Sequence, residues 1–132
     1  MIFVDSNVPM YLVGAEHPNK HAARRILERL IAGQERLVTA WRSSRRSCTG
    51  YTSIRRRDAI EPCIAALLGL ADEVYPVELD DVLRARDLLV DRRGLSARDA
   101  LHVAAMERRG IRRILSSDAG FDAVEGIDRL WE

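Results

Sequence analysis

The segment GLSARDALHVAAMERRGIRRILSSDAGFD, residues 94–122, runs through a helix, a tight stop, a strand and an acidic turn in immediate succession. Ser96 stands where an N-cap hydroxyl accepts a backbone N–H. Asp99, three positions on, occupies the capping-box place, and its charge suits the positive end of a helix. Gly110 takes the position after the last turn. The spacing predicts a helix over 95–110, then a strand over 112–118 that ends in aspartate. A helix feeding directly into a strand is half of a β-α-β unit, so the question is whether the rest of the chain supplies the other halves.

It does. IFVD (2–5) reads as a short buried strand ending in aspartate, and DSN (5–7) supplies a polar break. Residues 17–33 place Ala22, Ile26, Leu27, Leu30 and Ile31 at helical spacing before Gly33. RLVTA (36–40) reads as a second strand. Residues 54–71 are apolar at Ile60, Ile64, Leu67 and Leu68, which predicts a helix whose start is limited by Pro62. EVYPVEL (73–79) reads as a third strand. Residues 79–94 form a predicted helix with Val82, Leu83, Leu88 and Leu89 on one face, and GIDRLW (126–131) is a short last strand. Strands alternating with helices imply right-handed crossovers and a mostly parallel sheet of four to five strands covered on both faces.

Composition bounds the function. A chain of 132 residues suits one domain, residues 1–132, with one core. A hydrophobic fraction of 47% with 31% charged residues is globular, and the net charge of +1 gives no global field toward nucleic acid or membrane, so any basic footprint is local. Cys48 and Cys63 have no metal-ligand spacing and form no disulfide framework. No apolar run approaches the ~18 residues of a membrane span, and MIFVD lacks the basic start of a secretory signal. A cytoplasmic protein is expected.

In an open parallel sheet, ligands bind at the carboxyl ends of the strands. Asp5 and Asp118 both follow strands there, and Asp99 opens the helix capped by Ser96. Clustered carboxylates repel, and a hard divalent cation such as Mg²⁺ or Mn²⁺ relieves that repulsion. Such a cation lowers the pKa of a bound water and clamps phosphodiester oxygens. Taken singly, each aspartate also has a plain role: Asp5 and Asp118 as turn caps, Asp99 as a capping-box residue, Asp122 as a surface charge. Only their joint placement points to a metal site. His17 and His21 lie four apart without a third ligand and read as surface. His102, one turn beyond Asp99, either faces the site or packs. Arg55, Arg56 and Arg57 either touch a phosphate backbone or form a solvated helix face.

MIFVDSNVPMYLVG (1–14) and the 94–122 segment, in this order and spacing, resemble PIN-domain ribonucleases, in particular the VapC toxins of toxin–antitoxin pairs. The resemblance implies a three-layer α/β/α sandwich and an acidic cluster that holds Mg²⁺, or Mn²⁺ in its place, for RNA cleavage. Residue by residue it implies that Asp5, Asp99 and Asp118 are the catalytic, metal-holding set. Asp122 joins the metal-holding set as an outer helper, and Ser6, Asn7 and Ser116 are supporting polar neighbours. It also implies an RNA substrate, often tRNA, a homodimer, and a small VapB antitoxin that blocks the site. A phospho-acceptor receiver domain is the main rival class. It needs a lysine after its fifth strand, and the only lysine here is Lys20.

One feature of the family pattern is missing. After the second strand the resemblance implies a helix of the type E-V-L-x-E-I-L, whose second glutamate joins the acidic cluster. Here WRSSRRSCTG (41–50) stands in that place, and no carboxylate occurs between Glu35 and Asp58. One allowed codon set for these residues, TGG AGG TCC TCC AGG AGA TCC TGC ACC GGG, reads E-V-L-Q-E-I-L-H-R from the last base of the tryptophan codon. The expectation is a local frameshift, with one base lost near codon 40 and one gained near codon 50. It leads to impaired metal binding and impaired cleavage. A PIN-fold module that binds antitoxin or RNA without catalysis is the alternative.

Overall fold

The computed structural model describes residues 1–40, 56–91 and 94–132. The expected helix at 42–50, with its glutamates near positions 42 and 46, lies outside the described residues, as do Arg42, Arg45, Arg46, Cys48 and Arg55.

Among the described residues, five short parallel strands form one sheet: β1 (Ile2–Val4), β2 (Leu37–Ala40), β3 (Glu73–Tyr75), β4 (Arg113–Leu115) and β5 (Asp128–Leu130), in the order β3-β2-β1-β4-β5. Register runs from Phe3 to Val38 on one side and from Phe3 to Ile114 on the other. The described helices are α1 (Asn7–Val13), α2 (Pro18–Ala32), α3 (Ile60–Leu70), α4 (Leu79–Asp91) and α5 (Ala97–Arg108), with single 3₁₀ turns at Arg57–Ala59 and Ala119–Ala123.

Side-chain alternation along the strands divides the core. Ile2, Val4, Leu37 and Leu115 point to one face and pack with Val8, Ala23, Ile26, Leu27 and Leu67 of α1, α2 and α3. Phe3, Val38 and Ile114 point to the other face, against Ala85, Leu88, Ala100, Val103 and Met106 of α4 and α5. These two apolar layers make the molecule an α/β/α sandwich, as the alternation of elements predicted.

Several expected details change. The strand expected over 73–79 stops at Tyr75, because Pro76 has no N–H to continue the ladder. Pro62 falls in the first turn of α3, where no intrahelical N–H is lost. A helix not expected from sequence, α1, directly follows the first aspartate. The buried face of α4 is also different. Asp81, Ala85 and Leu88 point inward, while Val82 and Leu83 are exposed. Asp81 is fully buried and takes hydrogen bonds from Arg108 Nη1 at 2.7 Å, Arg109 Nη1 at 3.0 Å and the Glu78 N–H at 2.9 Å. Arg109 also lies over the Tyr75 ring, 4.6 Å from its centroid. The two arginines at the end of α5 thus lock α4 to α5 and to the chain leaving β3.

Candidate active site

The strand order places a topological switch point beside β1. The chain leaves β1 toward β2 on one side, and β4 returns on the other. The carboxyl ends of β1 and β4 therefore flank the crevice where α/β sheets bind ligands. Asp5 follows β1 and Ser116–Asp118 follow β4.

Asp5 is 2% exposed and is held from several sides. Its Oδ1 accepts from the Ser6 backbone N–H at 2.7 Å. Its Oδ2 accepts from Ser116 Oγ at 2.7 Å and from Asn7 Nδ2 at 3.1 Å. The Asn7 amide also donates to Ser116 Oγ at 3.1 Å, tying the two strand ends together. His102 lies beneath, 1% exposed, its ring 5.2 Å from that of Phe3 and its Nε2 3.5 Å from Asp5 Oδ1. Of the two sequence readings for His102, the structure has it both packed and facing Asp5.

Asp118 caps the 3₁₀ turn at Ala119–Ala123. Its Oδ1 accepts from the Gly120 N–H at 2.9 Å, while its own N–H donates to Ser116 Oγ at 3.0 Å. A Cβ on Gly120 would stand 3.0 Å from Asp118 Oδ1, so a glycine here leaves the carboxylate its place. Asp99 takes the expected capping-box position: its N–H donates to Ser96 Oγ at 3.0 Å. Burial pushes the Asp99 pKa above the ordinary aspartate value. The negative charge of Asp118, and to a lesser extent that of Asp5, pushes it the same way. Asp99 thus lies within electrostatic reach of both Asp118 and Asp5.

Asp122 points elsewhere. Arg129 Nε and Nη2 donate to its two oxygens at 2.8 and 2.9 Å, and this pairing holds its carboxyl below the usual range. Arg129 Nη1 also donates to the Ser116 carbonyl at 3.2 Å, so the pair buttresses the loop that carries Asp118. Spacing alone did not disclose Arg129. Arg56 is turned onto Asp58, with its Nε 3.2 Å from Asp58 Oδ1. His17 Nδ1 accepts from the Asn19 N–H and caps α2, while His21 pairs with Glu16, so the two histidines do not act as a ligand pair.

The donor set is hard oxygen throughout: three carboxylates and the Asn7 Oδ1, which is buried and has no hydrogen-bond partner among the described residues. Hard oxygens around a carboxyl raised by its acidic neighbours fit Mg²⁺ or Mn²⁺. Among the described residues, no three acidic, histidine or cysteine side chains stand close enough to hold one ion as placed. Asp5, Asp99 and Asp118 are the residues that would hold such an ion, which would neutralise their mutual repulsion. Among the described residues, no helix is long and apolar enough to cross a membrane.

Known proteins carry the same pattern over nearly the same length. The PIN domain family matches residues 2–127. A VapC ribonuclease of Mycobacterium bovis and ribonuclease VapC13 of Mycobacterium tuberculosis are each 52% identical over 130 residues, covering 98% of this chain and 99% of theirs. Ribonuclease VapC23 of Mycobacterium tuberculosis is 41% identical over 118 residues, covering 89% of this chain and 93% of its own. Among solved structures, Mycobacterium tuberculosis VapC20, described as a sarcin–ricin loop cleaving toxin, superposes with a TM-score of 0.74 at 25% identity over the whole of both chains. VapBC2 of Rickettsia felis, bound to promoter DNA, gives 0.75 at 12% identity, also over the whole of both chains, a likeness of fold. With the family match over residues 2–127 and these identities over nearly the whole chain, the chain belongs to the PIN-domain family, among the VapC ribonucleases.

Proposed function

We propose that this chain, as a single PIN domain over residues 1–132, is the toxin of a VapBC-type toxin–antitoxin pair. It acts as a Mg²⁺-dependent endoribonuclease on tRNA, in the cytoplasm. The observation that carries the reading is the meeting of Asp5, Asp99 and Asp118 at the switch point, with Asp99 raised by burial and by its acidic neighbours. Asp5, Asp99 and Asp118 hold the cation, with Mn²⁺ as a substitute. Asp122 acts from outside, through the Arg129 contact that steadies the Asp118 loop. Ser6, Asn7 and Ser116 fix the Asp5 carboxylate in place. Arg55, Arg56 and Arg57 contribute positive charge for binding the RNA backbone.

A bound Mg²⁺ supplies water activation near neutral pH and charge neutralisation at phosphorus. The protein's share is positional. Hydrolysis joins a water oxygen to phosphorus and breaks one P–O bond, whose oxygen leaves with a proton. The fixed carboxylates set where that exchange takes place. The partner is a VapB-type antitoxin, in keeping with the VapBC complexes of Rickettsia felis and Salmonella typhimurium that share the fold. Two copies of the chain form a homodimer.

The lack of a carboxylate between Glu35 and Asp58 favours one second reading, a PIN-fold module that binds its antitoxin or RNA without cutting. Mn²⁺ titration followed by electron paramagnetic resonance, beside cleavage of total tRNA, separates the two. Nuclease action predicts Mn²⁺ binding and cleavage, both lost in Asp5→Asn. Antitoxin binding with neither would leave the second reading standing.

A further inference from the structure

Arg98 is the second residue of α5, directly before Asp99. A cation at the positive end of a helix opposes the helix dipole, so an arginine here gains nothing from its own helix. Its contacts do not repay the placement. The Nε is buried and has no hydrogen-bond partner among the described residues, and the nearest anion, Asp99 Oδ1, lies 3.8 Å from it. That is beyond hydrogen-bond range. The side chain is 35% exposed and lies beside Asp99 of the acidic cluster.

Other arginines of the chain are committed elsewhere. Arg129 spends its donors on Asp122 and on the Ser116 carbonyl. Arg108 and Arg109 are bound to Asp81, and Arg113 forms a two-point pair with Glu35. Unlike these, Arg98 makes no hydrogen bond with its guanidinium among the described residues, and it stands beside Asp99. A planar guanidinium matches the oxygens of a phosphate better than a lysine does.

We propose that Arg98 is a substrate-binding catalytic residue, whose guanidinium takes a non-bridging oxygen of the RNA phosphate under attack. This rests on the nuclease reading of the Asp5–Asp99–Asp118 site. As the water oxygen bonds to phosphorus and the leaving P–O bond breaks, negative charge grows on the non-bridging oxygens. Arg98 stands ready to neutralise it. The same positive charge partly offsets Asp99 before RNA arrives.

The test uses the full chain and its Arg98→Gln and Arg98→Lys variants, with thermal melts to confirm folding. Binding of a short fluorescein-labelled single-stranded RNA is read by anisotropy against salt, with and without Ca²⁺. Mn²⁺ affinity is read separately by electron paramagnetic resonance. Loss of one phosphate contact predicts RNA binding weakened about tenfold in Arg98→Gln, with a log–log salt slope shallower by about 0.7. Arg98→Lys restores the slope. Mn²⁺ affinity stays the same or rises in Arg98→Gln, because a neighbouring cation has been removed. An unchanged RNA affinity and slope in Arg98→Gln overturns the proposal and leaves Arg98 as a counter-charge for Asp99. So does a wild-type chain that forms no salt-dependent RNA complex. If the wild type binds RNA but no Mn²⁺, the metal reading falls, and the slope still decides the role of Arg98.

Discussion

Ser116 Oγ donates to Asp5 Oδ2 at 2.7 Å, although 111 positions separate the two residues in the chain. The parallel pairing of β1 with β4 makes this possible, because Val4 pairs with Leu115 and the next residue on each strand emerges side by side. The same hydroxyl accepts from the Asp118 N–H. One serine therefore positions two of the three aspartates, and the sheet register sets the geometry of the site.

Ser116→Ala removes a buried donor to a buried carboxylate and leaves the Asp118 N–H without its acceptor. A hydrogen bond to a charged group is worth about 1.5–3 kcal/mol. Urea denaturation is expected to show a loss of that size, with cleavage falling further because Asp5 and Asp118 are released together. A stability unchanged from wild type would mean that Asp5 is held mainly by Ser6 and Asn7.

Asp81 gives a prediction far from the site. Burial pushes its pKa up, but hydrogen bonds from Arg109, the Glu78 N–H and Arg108 outweigh burial and leave it below the ordinary value. The folded state thus holds its proton less tightly than the unfolded chain. The stabilisation is complete above the unfolded pKa of about 3.9, and is lost as pH falls through the depressed folded value. Asp81→Ala strands two partly buried arginines, and breaking such a pair costs about 3–5 kcal/mol. The variant is expected to melt well below the wild type at neutral pH and to show a weaker dependence of stability on acid. Parallel acid limbs in the two proteins would show that other carboxylates set that dependence.

The contrast between these two aspartates shows what the sequence made legible. Asp5, Asp99 and Asp118 were readable because strand ends and a capped helix have local signatures, and a parallel sheet brings such ends to one edge. Asp81 was not. Apolar spacing on α4 favoured Val82 and Leu83 as the inner face, and only Arg108 and Arg109 from another helix make a buried carboxylate tolerable there. Helix α1 was missed for a related reason. It is seven residues long, carries Pro9 in its first turn, and is stabilised by packing rather than by propensity. Arg129 reaches its role through the pairing of β4 with β5, which no spacing of charges in the chain announces.

Asp99→Asn is expected to separate stability from function. The folded-state pKa of Asp99 is raised, so folding is penalised as pH rises from the unfolded value through the folded one, and the penalty is complete above that. Asparagine removes the charge and the penalty. The metal-free variant is expected to melt at or above the wild-type temperature at neutral pH while losing cleavage. Mn²⁺ at a hundredfold excess over its dissociation constant adds about 2.7 kcal/mol to the wild type, and less to the variant. A lower melting temperature for Asp99→Asn without metal would contradict the sign of this argument.

The family pattern breaks at residues 41–50. Replacing Arg42–Gly50 with E-V-L-Q-E-I-L-H-R restores the carboxylate that the resemblance implies near position 46 and removes the positive charge of Arg46. That is a change of two charge units in a residue expected to join the acidic cluster. One unit charge at 4 Å is worth roughly 4 kcal/mol at an effective dielectric near 20, before screening. The repaired chain is expected to bind Mn²⁺ at least tenfold more tightly, the equivalent of about 1.4 kcal/mol, and to cleave tRNA faster. It is also expected to melt higher, because Val, Leu, Ile and Leu return in place of Ser43, Ser44, Ser47 and Cys48. Calorimetric titration with Mn²⁺ and cleavage of total tRNA, run on both chains, decide the matter. Equal affinity and equal cleavage would show that three aspartates suffice in this protein. Sequencing the codons for residues 41–50 tests the origin separately, since in-frame codons that do not read E-V-L-Q-E-I-L-H-R in the shifted frame would end the frameshift account whatever the biochemistry shows.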